Sequence, residues 1–130
     1  TYNPFQFMKT DILNIEDIKH LIDTFYEKVR KDTVISHFFT EVVTVDWEKH
    51  LPIMYKFWSN ILFNTGEYTG NPMQKHLNLH KKSPMRMQDF QHWLQLFTET
   101  TDELFEGINA EIIKQRATSI ATVMQAKIYA

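Results

Sequence analysis

The chain has 130 residues, within the commonest size range of a single domain, about 100 to 150 residues, and no Pro-, Gly- or Ser-rich linker divides it. Its 14 basic and 16 acidic residues give a net charge of −2 without a Lys/Arg cluster, which argues against nucleic acid or an anionic membrane as partner. The absence of Cys excludes disulfides, thiolate metal sites and cofactors attached through thioethers.

The first helical pattern runs from Ile15 to Lys31, with Asn14 as its expected N-cap. A second pattern runs from Trp47 to Ile61. Pro52 interrupts it, so the regular helix either begins near Leu51 or is kinked at its entry. The apolar residues of the first pattern are Ile18, Leu21, Ile22, Phe25, Tyr26 and Val29.

The second half of the chain predicts one short helix and two long ones. The run MQKHLNL (73–79) is expected to form one or two helical turns among loops. Ser83 and Pro84 predict the start of the third long helix, and Gly107 predicts its end. Asn109 is the expected cap of the fourth. The sequence therefore predicts an all-α fold in a single domain, 1–130, and its 18 aromatic residues are many for so short a chain.

Among the common sequence signatures, no phosphate loop, HExxH, GxSxG or paired-carboxylate motif is present. His50 lies on the apolar face of the second helix, and His76 lies in a short apolar run. Each of them, like Tyr26 and Trp93, has an ordinary structural interpretation as a core residue with a hydrogen-bond partner. His76 and His80, spaced i, i+4, could also bind zinc, but no Cys or nearby carboxylate completes such a site.

Five segments change this interpretation when they are taken in order: TFYEKVRKD (24–32), HFF (37–39), WEKH (47–50), YTGNPMQKHLNL (68–79) and FQHWLQLF (90–97). Together they resemble the bacterial truncated haemoglobins, specifically group III, over nearly the whole chain. The resemblance implies a globin-like two-over-two helical sandwich. The glycine pairs of the other truncated groups are missing here, which is consistent with group III.

The resemblance also implies a site for non-covalent haem b. His76 matches the proximal iron ligand, and Tyr26, Trp93 and His50 match the distal residues that stabilise a bound ligand. Pro52 leaves the position of His50 relative to the iron open. The expected pocket residues are Phe39, Met54, Phe57, Trp58, Leu79 and Phe90. Tyr68, Lys75, Lys81 and Lys82 are near enough in sequence to His76 to meet the haem propionates.

Distal hydrogen-bond donors would slow the release of dioxygen, because they stabilise the negative charge that this ligand acquires. We therefore expect chemistry on dioxygen, nitric oxide or peroxide, such as nitric oxide dioxygenase or peroxidase-like activity, with a reductase as possible partner. Two alternatives stay open: a haem-based gas sensor acting through a partner, and a helical interaction module without a cofactor. No signal-peptide pattern or apolar run of about 18 residues is visible, so a soluble, cytoplasmic protein is expected.

Overall fold

The computed structural model describes residues 9–38, 46–66 and 85–128 of the chain. The predicted short helix at 73–79 lies outside these ranges. None of the described helices is long and apolar enough to cross a membrane. The helices that form within the ranges are α1 (Ile15–Lys31), α2 (Trp47–Phe63), α3 (Met87–Leu104) and α4 (Ile108–Ile128).

The four helices pack as two pairs, α1 with α2 and α3 with α4. The pairs also contact each other, because α1 packs against α3 and α2 packs against α4. This arrangement is the two-over-two sandwich expected from the sequence. Phe25 of α1 and Phe97 of α3 are fully buried in the core between the pairs, with ring centroids 5.2 Å apart.

Helix α1 confirms its prediction at both ends. The side chain of Asn14 accepts a hydrogen bond from the backbone N–H of Asp17 at 3.1 Å, which caps the first turn. The helix ends where the backbone of Asp32 becomes extended. All six apolar residues predicted to face the core are buried: Ile18, Leu21, Ile22, Phe25, Tyr26 and Val29.

Helix α3 begins later than the sequence predicts. The expected start at Ser83 and Pro84 is wrong, since Met85 and Arg86 are not helical and the first helical residue is Met87. The reason is Asp89, whose carboxylate accepts hydrogen bonds from the backbone N–H of Arg86 at 2.8 Å and from its Nη2 at 3.0 Å. This local pairing fixes the start of the helix at Met87 and satisfies a carboxylate that is only 2% exposed.

The connection between α3 and α4 corrects two further predictions. Helix α3 ends at Leu104, before the predicted stop at Gly107, and α4 begins at Ile108, so Asn109 is not its cap. Asp11, which lies far away in the sequence, caps α4 instead. Its carboxylate oxygens accept hydrogen bonds from the backbone N–H groups of Asn109 and Ala110, both at 2.9 Å.

Gly107 makes this distant cap possible. Its φ of +146° favours glycine, and a Cβ at this position would lie 2.5 Å from Cγ of Asp11. Burial by itself would raise the pKa of the Asp11 carboxyl, but the backbone N–H groups of residues Asn109, Ala110, Ile12 and Ile108 outweigh it and lower that pKa below its ordinary value.

We expect Asp11→Ala to lower the free energy of unfolding by about 1 to 2 kcal/mol near neutral pH, the usual effect of losing a helix cap. Because the pKa of Asp11 is lower in the folded chain, this contribution is complete above its unfolded value of about 3.9 and is lost as the pH falls through the folded value. Urea unfolding of wild type and variant across this pH range checks the prediction, with Asp11→Asn as the neutral control. A difference independent of pH would contradict it.

Candidate functional site

Tyr26 lies in the middle of α1, and only 7% of the residue is exposed. Burial raises the pKa of its phenol well above the ordinary range, because the charged phenolate would lose its hydration. The hydroxyl group therefore keeps its proton at every physiological pH. A buried phenol of this kind is a hydrogen-bond donor and not a base.

His50 approaches Tyr26 from α2. Its Nε2 lies 3.4 Å from the Tyr26 hydroxyl oxygen, at the long end of hydrogen-bond distances, and the two rings meet edge to face with centroids 5.3 Å apart. The two residues are 24 positions apart in the chain. The sequence allowed two arrangements at Pro52, a regular helix that begins near Leu51 or a helix that is kinked at its entry. The first of these is wrong. Helix α2 begins at Trp47 and continues through the proline, which brings His50 to Tyr26.

Helix α2 tolerates Pro52 because the proline lies on its exposed side. The turn before it is already closed by hydrogen bonds from the backbone N–H groups of Lys49 and His50 to the carbonyl of Asp46, at 3.1 and 2.8 Å. Proline still lacks the N–H that would bond to the carbonyl of Glu48. The turn that carries His50 is therefore tied to the rest of α2 by fewer hydrogen bonds than a regular helix provides.

Trp93 is half-buried on α3 and connects to the pair through Phe25. The ring of Phe25 meets Trp93 edge to face at 5.9 Å and meets Tyr26 in the same way at 5.1 Å. Trp93 also stacks on Phe97 at 5.7 Å, and Phe97 in turn contacts Phe25. The structure thus brings Tyr26 and His50 into contact and places the Trp93 indole one aromatic ring away from Tyr26.

A polar contact beside Trp93 fixes the end of α1 to α3. Nε2 of His92 lies 2.6 Å from one carboxylate oxygen of Asp32, while the other oxygen accepts hydrogen bonds from the backbone N–H groups of Val34 and Ile35. Burial would raise the pKa of Asp32, but the His92 hydrogen bond and these N–H groups lower it overall. Asp32 therefore stays ionised near neutral pH, and its contact with His92 links the C-terminal end of α1 to α3.

The other predicted pocket residues are placed as follows. Met54 and Phe57 are half-buried on α2 and pack against the core. Trp58 is buried and stacks on Phe97 at 4.8 Å, and Phe90 is buried on α3. Other predicted residues lie outside the described ranges: Phe39, Tyr68, Lys75, His76, Leu79, His80, Lys81 and Lys82. In the ranges that are described, no three His, Asp or Glu side chains are grouped so as to hold a metal ion.

Sequence reasoning missed two residues beside the His50 and Tyr26 pair. The indole of Trp47 lies 5.3 Å from the Tyr26 ring and 5.5 Å from the His50 ring, measured between centroids. Cζ of Arg30 lies 3.8 Å from the centroid of the Trp47 ring, as in a cation–π contact. Helical spacing could have indicated both, since Trp47 precedes His50 by three positions and Arg30 follows Tyr26 by four.

Known proteins resemble this chain over most of its length. A model of the bacterial-like globin family matches residues 12–126. The group 3 truncated hemoglobin ctb of Campylobacter jejuni subsp. jejuni is 34% identical over 125 residues, which are 94% of this chain and 96% of that protein. The crystal structure of group III truncated hemoglobin from Campylobacter jejuni superimposes with a TM-score of 0.82 at 36% identity, covering 94% of this chain and 96% of the other.

Proposed function

The chain belongs to the bacterial-like globin family as a group III truncated haemoglobin, and we propose that it binds haem b without a covalent bond and holds dioxygen or a related small ligand on it. Membership in this family implies a haem-based ligand site. The absence of Cys is the reason to propose haem b, since no thioether to the porphyrin can form. The shared core of the four helices supports a single domain over 1–130.

The described residues fit the distal side of a haem pocket. Tyr26, His50 and Trp93 supply a phenol, an imidazole and an indole, three groups that can donate hydrogen bonds. Half-buried Met54 and Phe57 on α2 supply apolar surface beside them. When bound, haem supplies an iron that coordinates a small diatomic ligand or peroxide. We propose His76 as the proximal iron ligand, with the remaining pocket residues as Phe39, Trp58, Leu79 and Phe90.

The single observation that carries this function is the buried Tyr26 hydroxyl group, whose oxygen lies 3.4 Å from Nε2 of His50. Burial raises the pKa of this phenol, so it is protonated at neutral pH and can donate a hydrogen bond to a ligand with partial negative charge. Such a hydrogen bond to a charged group is worth about 1.5 to 3 kcal/mol, enough to slow ligand release more than about tenfold. Two or three donors of this kind favour retention of the bound ligand over its release. Bulk oxygen delivery, which needs release, is therefore the less suitable role.

We propose that the retained ligand takes part in chemistry with dioxygen, nitric oxide or peroxide. With peroxide as substrate, His50 would move a proton while Tyr26 and Trp93 donate hydrogen bonds to the O–O group. A cycle that leaves the iron ferric needs an electron-donating reductase as partner. A cytoplasmic location, expected from the sequence, completes the proposal and is tested by cell fractionation.

Titration of the purified, haem-free chain with haemin tests the proposal. We expect a Soret band that saturates at one haem per chain and moves on reduction and again on addition of carbon monoxide. A folded chain that binds no haemin, or binds it without saturation, would contradict it. Circular dichroism of the same sample verifies that the four helices are present, so that misfolding is not mistaken for lack of binding.

A further inference from the structure

The first turn of α2, which carries His50, is weakly held by its own helix. The N-cap residue Asp46 makes no side-chain hydrogen bond to this turn. Pro52 removes the N–H that would bond to the carbonyl of Glu48. An isolated helix start with these two defects would fray, so the orientation of His50 has to be fixed by contacts outside α2.

Trp47, the first residue of α2, makes such contacts. Its indole packs against both rings of the pair, 5.3 Å from Tyr26 and 5.5 Å from His50. The guanidinium of Arg30 on α1 lies over the indole ring, with its Cζ 3.8 Å from the ring centroid. Tyr26 and Arg30 lie one helical turn apart on α1, so this rigid helix holds the indole from two points.

We propose that Trp47 is a positioning residue for the distal pair, with Arg30 holding it on α1, so that it fixes the orientation of the His50 imidazole against the Tyr26 phenol. The hydrogen bond between the pair is too long, at 3.4 Å, to fix two rings without help. The consequence for ligand retention rests on the proposed function.

The test compares Trp47→Leu with Trp47→Phe in the haem-loaded, carbon monoxide form, which is diamagnetic and suits nuclear magnetic resonance. In wild type we expect a nuclear Overhauser contact between the Tyr26 and His50 rings. Trp47→Leu should lose it, and the oxygen dissociation rate should rise about three- to tenfold, less than on removal of a donor outright. Trp47→Phe, which keeps a ring, should restore the contact and most of the rate.

Arg30→Met keeps an apolar stem and removes the charge, and we expect a smaller change in the same direction. Arg116→Met, at an exposed position on α4, is the matched control and should change neither measurement. If Trp47→Leu keeps the contact between the Tyr26 and His50 rings, the inference is overturned, whatever the dissociation rate. If Arg30→Met changes neither the ring contact nor the dissociation rate, the role of Arg30 is overturned. If Trp47→Leu does not fold, Arg30→Met decides, and the inference fails if that variant keeps both the wild-type ring contact and the wild-type dissociation rate. A chain that takes up no haem contradicts the proposed function instead.

Discussion

Replacing His76 with Ala is expected to abolish the normal haem spectrum, whereas replacing His80 with Ala should leave it unchanged. The reason is that one imidazole holds the iron from the proximal side in the proposed site, and Ala offers no ligand atom. Haem affinity should fall by more than the roughly 10- to 100-fold that loss of a supporting partner of a metal ligand causes. Haemin titration of both variants, followed by desalting, measures the change.

Added imidazole provides a sharp control for this variant. If His76→Ala only removes a ligand atom, free imidazole should enter the space and restore most of the wild-type spectrum. If the substitution unfolds the chain, imidazole restores nothing and circular dichroism shows the loss of helix. A normal spectrum in His76→Ala, or its loss in His80→Ala, would contradict the assignment of the iron ligand.

Tyr26→Phe is expected to raise the oxygen dissociation rate more than about tenfold, because it removes a buried donor worth about 1.5 to 3 kcal/mol when it binds a charged partner. Trp93→Phe should act in the same direction, since it removes an indole N–H. Stopped-flow displacement of oxygen from the reduced protein measures both rates, and peroxide turnover by the same variants should fall.

Tyr55→Phe is the matched control for Tyr26→Phe. Its hydroxyl group donates a hydrogen bond to Asp23 at an exposed contact between α1 and α2, and not to a member of the distal pair. The same chemical change at Tyr55 should therefore leave the oxygen dissociation rate at its wild-type value and affect only stability. The proposed role of Tyr26 and Trp93 fails if both variants match wild type in oxygen release and in peroxide turnover.

Local interactions explain which parts of the fold could be predicted. Helix α1 follows from its sequence at both ends because its cap, Asn14, lies next to it and its buried residues recur at helical spacing. The cap of α4 could not be predicted, since Asp11 lies 98 positions before Asn109. Only the tertiary fold brings the two together, and Gly107 leaves the space for that contact.

The site, like the fold, combines residues that the sequence indicates with contacts that only helix packing creates. The family resemblance assigned Tyr26, Trp93 and His50 together to the distal side, but nothing in their spacing indicates that α2 continues through Pro52 and brings the rings of Tyr26 and His50 into contact. Trp47 was overlooked because a tryptophan at the start of an apolar pattern suggests core packing. Its role depends on which face of α1 it meets, which is a property of helix packing and not of local sequence.

We propose that the Tyr26 and His50 face of the fold lies on the ligand side of a haem held by His76. The infrared stretch of carbon monoxide on the reduced, haem-loaded protein tests it most directly, because a nearby hydrogen-bond donor draws electron density onto the ligand and weakens its C–O bond. A higher stretching frequency in Tyr26→Phe than in wild type, with Tyr55→Phe unchanged, is the expected result. Identical frequencies in wild type and Tyr26→Phe would contradict the claim.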